Sequence, residues 1–99
     1  MNILIEAPYT VSDLDKSMIE SKIRDLTKYK ERITEATVFF KLGDGKGSES
    51  VISEIRLRIP GKDIFAGESD NTSNGAFVKA WNQVKKQLIK RKSILQEHR

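Results

Sequence analysis

Ninety-nine residues are enough for one domain around one modest hydrophobic core. Cysteine is absent, which excludes disulfides, thiolate metal sites and a cysteine nucleophile, and 32% charged beside 37% hydrophobic residues is an ordinary balance for a soluble fold. The net charge of +4 is unevenly spread: residues 71–99 hold seven basic and one acidic side chain, against 11 and 13 in residues 1–70, so the positive field gathers in the last third.

The chain opens on MNILIEAPYT, which lacks a basic segment followed by a long apolar run, so no signal peptide is expected. No window reaches 18 apolar residues, so no membrane span is expected either, and the default location is the cytoplasm. Residues 2–7 (NILIEA) form a β-rich run stopped by Pro8 and predict a first strand. Ser12 is placed to cap a helix whose first turn carries Asp13 and Asp15. That helix is expected to run to Tyr29 or Lys30. Met18, Ile19, Ile23 and Leu26 form its buried stripe, with Arg24 and Lys28 pointing away. Lys22 sits beside the stripe, where its stem can lie along apolar surface.

Residues 36–42 (ATVFFKL) are dense in β-branched and aromatic residues and predict a second strand. Residues 43–48 (GDGKGS) predict a flexible hairpin loop; they lack the Gly-Lys-Ser/Thr ending and following helix of a phosphate-binding loop. From Val51 to Ile59 the chain alternates. Val51, Ser53, Ile55, Leu57 and Ile59 share one face; Ile52, Glu54, Arg56 and Arg58 share the other. Pro60-Gly61 makes a tight turn, residues 63–68 (DIFAGE) return as a fourth strand, and residues 69–74 form a polar connector whose Asp70, Thr72 or Ser73 caps the last helix. From about Gly75 to His98, Phe77, Trp81, Val84, Leu88 and Leu95 line one helical face. Lys79, Lys86 and Lys90 fall nearly opposite it, with Lys85 and Lys92 flanking one side and Arg91 the other. The order predicts an α+β fold, β-α-β-β-β-α. Its four-stranded mixed sheet should carry both helices on one face, making one domain over residues 1–99.

No catalytic constellation emerges. His98 is the only histidine and lies at the chain end, and the carboxylates are scattered singly. Trp81, Tyr29 and Phe40 fall at core spacings, so packing explains them better than base stacking. Phe39 points to the opposite side of its strand from Val38, Phe40 and Leu42, toward the open face of the sheet. What remains is a row of basic side chains with no acidic neighbours in the last helix before Glu97, which predicts a polyanionic partner. Lysine contacts phosphate rather than base edges, so backbone shape and charge should be read, as in structured RNA. A regulatory module docking an acidic protein surface is the alternative, and loss of the partner on nuclease treatment separates the two. No enzyme, cofactor, metal or small-molecule substrate is expected.

Lys22-Ile23 followed by Leu26, Tyr29 and Arg32-Ile33, with Lys86-Gln87-Leu88, Lys90 and Lys92 near the end, resembles the ribosome hibernation-promoting factor family. The same family is also known as ribosome-associated inhibitors or sigma-54 modulation proteins, and the likeness covers nearly the whole chain. It implies the β-α-β-β-β-α fold and binding to small-subunit, 16S-type rRNA between head and body, over the mRNA and tRNA sites. Initiation would thereby be blocked and inactive ribosomes stored, as a stress response that regulates translation. The rRNA-binding set expected from residues and resemblance together is Lys22, Arg24, Lys28, Arg32, Lys79, Lys86, Lys90 and Lys92. A short-form member is expected to be monomeric when free, since the dimerisation domain of longer members is not expected here. Where the family has an Asp-Met-Tyr-like opening of the last helix, this chain has Thr72-Ser73-Asn74.

Overall fold

A computed structural model describes residues 1–29, 31–43 and 51–97, with side chains described through Arg91. The order is β1 (Asn2–Glu6), α1 (Asp13–Asp25), a 3₁₀ turn (Leu26–Tyr29), β2 (Glu35–Leu42), β3 (Val51–Arg58), β4 (Ile64–Asp70) and α2 (Ser73–Glu97). This is the expected α+β arrangement. β1 pairs with β2 in parallel, and β2, β3 and β4 form an antiparallel meander in the spatial order β1-β2-β3-β4.

α1 starts where its cap chemistry places it. Ser12 is extended, and its Oγ accepts the Asp15 N–H at 3.1 Å, satisfying a donor that the first helical turn leaves open. The helix ends earlier than the periodicity predicts. The Leu26 N–H reaches back to the carbonyls of Ile23 and Arg24, and the Thr27 hydroxyl donates to the Arg24 carbonyl at 2.8 Å. That competition tightens the last turn to 3₁₀ geometry. It also keeps Leu26 fully buried and rests Tyr29 against the core.

The alternation along β3 sorts the sheet into two faces. Ile3 and Ile5 stand beside Ala36 and Val38, then Leu57 and Ile55, then Ile64 and Ala66, all on the helix side. Phe77, Ala80, Trp81, Val84 and Leu88 close over β3 and β4 from above. The opposite face carries Leu4, Phe39, Arg56, Arg58 and Phe65; Lys41–Glu54 at 2.7 Å and Arg58–Glu35 at 3.9 Å are its ion pairs among the described residues. At the β3–β4 turn Gly61 has φ 96°, a backbone region that favours glycine, and the Asp63 carboxylate accepts the Ile59 N–H at 3.3 Å.

β4 runs two residues beyond its expected end. Ser69 and Asp70 have loop-like composition, yet they pair with Ile52 and Val51 of β3, so the ladder decides their conformation. The connector then shrinks to Asn71 and Thr72. Thr72 is the cap: its Oγ1 accepts the Gly75 N–H and its carbonyl the Ala76 N–H, both at 3.0 Å. Most of the expected hairpin loop, residues 44–48, lies outside the described residues. No helix among the described residues is long and apolar enough to cross a membrane.

Candidate nucleic-acid interface

α2 fastens to the sheet through its apolar stripe and turns its remaining faces outward. Lys86 and Lys90, four residues apart, are both exposed, and neither has an ion pair among the described residues. Lys79 shares their side of the helix but is occupied. Its Nζ lies 3.3 Å from the Ser69 carbonyl and 3.8 Å from Asp70 Oδ2. The helix itself holds no acidic side chain before Glu97; the carboxylate comes from the end of β4, which sequence spacing does not reveal. Arg91 is occupied likewise, by Glu31 at 3.6 Å and the Lys62 carbonyl at 2.9 Å. Among the described residues α2 thus presents two exposed lysines without an ion pair, where its spacing alone offers more. Lys92 is helical in backbone, and its side chain lies outside the described residues.

α1 and the 3₁₀ turn and connector after it contribute as well. Arg24, Lys28 and Arg32 are exposed and form no ion pair among the described residues. The Lys28 ammonium stands 5.5 Å from the Tyr29 ring centroid, which leaves its charge intact. Lys22 is half-buried, with its stem over the core edge as its position predicts.

Trp81 joins the two helices. The residue is 8% exposed, which places it in the core, and its Nε1–H donates to the Lys22 carbonyl at 2.8 Å. That carbonyl lies in the last turn of α1, where main-chain acceptors lack helical partners. The Lys22 ammonium sits 4.7 Å from the indole centroid and the Lys85 ammonium 5.5 Å from it. Lys85 is absent from the basic set read from sequence. Its flanking position and its i+4 spacing from Trp81 were the available signals; the approach of Lys22 from another helix was not. The turn ahead of α1 is also tied to the first residue of α2, by the Tyr9 hydroxyl–Ser73 hydroxyl bond at 2.6 Å.

Among the described residues no group of three or more His, Asp or Glu side chains is arranged to hold a metal ion. The site's groups are ammonium and guanidinium ions on two helices and on the 3₁₀ turn and connector that follow the first. Such groups bind anions by charge and hydrogen bonding and supply no nucleophile or general base.

A mixed four-stranded sheet under two helices, one long and basic, defines a small α+β domain. Within that class the chain belongs to the sigma 54 modulation protein / S30EA ribosomal protein family, which matches residues 8–96. It is a family of ribosome-associated factors and not of enzymes. The chain is similar to the N-terminal domain of Protein Y from Thermus thermophilus: 25% identity, TM-score 0.72, over 89% of this chain and 96% of that one. A ribosomal subunit interface protein from Coxiella burnetii has the same fold at 17% identity, with TM-score 0.79 over 94% of this chain and 99% of that one. No curated protein matches significantly.

Proposed function

We infer that this chain is a cytoplasmic ribosome hibernation factor that binds small-subunit rRNA over the mRNA and tRNA sites and so holds translation off. The observation that carries the reading is the exposed, uncompensated pair Lys86 and Lys90 on a firmly seated helix, in a chain of a ribosome-associated family. Arg24, Lys28 and Arg32 extend the same charge onto the α1 side, and Lys92 continues it along α2 in sequence. The partner that fits is a phosphate backbone, met by lysine point charges with little base readout. The free protein acts as a monomer.

Co-sedimentation with purified small subunits, with and without mRNA, tests the reading. The double variant Lys86→Glu, Lys90→Glu should fold normally, because both side chains are exposed, and should lose subunit binding by about 100-fold or more, since each reversal replaces attraction with repulsion. Bound mRNA should compete with the wild-type protein. Unchanged sedimentation of the folded double variant excludes α2 as the contact, and indifference to mRNA excludes the decoding region as the place.

A further inference from the structure

We infer that α2 closes the outer edge of β4 against strand addition, through a stripe of side-chain donors at Lys79, Gln83, Gln87 and Arg91, and that the partner shut out is β4 of a second copy of this chain. The inference stands apart from the RNA-binding reading. β4 is an edge strand, with β3 on one side and no strand on the other among the described residues. Residues along a strand bond alternately to one side and the other, so every second carbonyl of an edge strand points away from the sheet. Such an edge is a template for pairing with another chain.

Three carbonyls along this edge are taken by α2. Gln87 Nε2 donates to the Phe65 carbonyl at 2.9 Å, and Lys79 Nζ to the Ser69 carbonyl at 3.3 Å. Arg91 Nη1 donates to the Lys62 carbonyl at 2.9 Å, in the turn ahead of the strand. The donors ascend the helix as the acceptors descend the strand, so the two elements run antiparallel. Their periods nearly match, because four helical residues advance about 6 Å and two strand residues about 6.8 Å. Side chains four apart on α2 therefore keep step with carbonyls two apart on β4. Gln83 stands on the same stripe between Lys79 and Gln87, level with Gly67.

Packing does not require these four residues to be donors, since Phe77, Ala80, Trp81, Val84 and Leu88 already hold the helix on the sheet. Closure of the edge gives them a use. Phe65 is 47% exposed on the open face beside this edge, and Gly67 has no side chain to obstruct an incoming strand. Turned about a two-fold axis at Gly67, a second β4 would set Phe65 of each copy opposite Ser69 of the other. That pairing is self-complementary and would join two sheets into one.

The test is sedimentation velocity on the full chain from about 10 µM to about 1 mM. The wild type should remain monomeric throughout. Gln83→Ala, Gln87→Ala removes two donors, leaves the buried stripe intact and substitutes a good helix former. An unchanged thermal midpoint at low concentration shows that its fold is retained. This variant should be half dimeric at or below about a tenth of the top concentration. Hydrogen exchange at the Phe65 and Gly67 amides should slow by about threefold or more as the dimer forms. Adding Phe65→Lys, a charge on the edge, should return the variant to monomer.

A folded Gln83→Ala, Gln87→Ala variant that stays monomeric overturns the inference. So does a dimer that Phe65→Lys leaves intact, or one that forms without slowed exchange in β4, because association then runs through another surface. A wild-type dimer with slowed exchange at Phe65 and Gly67 overturns it as well, since the edge is then open in the intact chain.

Discussion

Ser53 shows how a single residue can be out of register with its surroundings. It lies on the core face of β3 between Phe40 and Glu68, is fully buried, and its hydroxyl has no hydrogen-bond partner among the described residues. A buried hydroxyl without a partner costs about 1–3 kcal/mol relative to water. Ser53→Ala should therefore stabilise the fold by about 1 kcal/mol, read as a higher urea midpoint at unchanged m-value. Lower stability would mean that the hydroxyl is satisfied in solution. Asp70 is a residue of the opposite kind, exposed enough to be weak in stability yet placed to matter electrically. It pairs with Lys79 at 3.8 Å and accepts the Asn71 N–H at 2.7 Å. A surface pair of this sort contributes about 0–1 kcal/mol. Asp70→Asn should change stability little while freeing Lys79, so affinity for RNA should rise two- to fivefold in filter binding at low salt. No gain would indicate that Lys79 does not face the partner. Gly75 sits under the same carboxylate, so close that a Cβ there collides with it and with Thr72 Oγ1. Bulk at residue 75 and the charge state of Lys79's neighbourhood are thus linked through Asp70, a coupling that no spacing rule would expose.

The two helices differ in how strongly the sheet holds them. α2 lies across β3 and β4 with Phe77, Val84 and Leu88 fully buried, whereas α1 is held mainly by Ile19, Ile23 and Leu26 and by Trp81 reaching across to Lys22. Leu88→Ala should cost about 2–5 kcal/mol in an equilibrium melt, enough to unfold much of a domain this small. Thr72→Ala, which removes only the cap of α2, should cost about 1 kcal/mol. Equal costs would mean that the helix start, not its packing, holds α2 in place. The alternation of β3, the Ser12 cap and the α2 stripe were legible because one local rule dominates at each. The conversion of residues 26–29 to a 3₁₀ turn was not, since Leu26 and Tyr29 keep a helical spacing and the change comes from Thr27 bonding the Arg24 carbonyl. The extra residues of β4 were hidden for a related reason. Ser69 and Asp70 have turn chemistry, and only pairing with β3, itself distant in sequence, overrides it.

At the scale of the whole molecule, charge separation sets the behaviour toward a partner. Residues 71–99 sum to +6 and residues 1–70 to −2, and the fold places the basic helix on the outside of the helical layer, away from the sheet's open face. The open face is close to electrically balanced, with Lys41 against Glu54 and Arg58 against Glu35, so it gives no comparable pull on a polyanion. Sequence spacing supplied the basic character of α2 but overcounted its free charge, because Asp70 and Glu31 approach from other elements to take Lys79 and Arg91. Of the set expected from the sequence, five exposed cations with no ion pair among the described residues then remain as first contacts: Arg24, Lys28, Arg32, Lys86 and Lys90. If each replaces one counterion on single-strand-like RNA, log K should fall with log salt at a slope of about −3.5. Asp70→Asn should steepen that slope by about 0.7 as Lys79 joins, and Lys86→Glu, Lys90→Glu should flatten it by about twice that amount. The three slopes together decide whether the count is right. A wild-type slope near zero removes the electrostatic mechanism altogether. A steep slope that neither variant moves keeps the mechanism but assigns it to cations elsewhere on the chain.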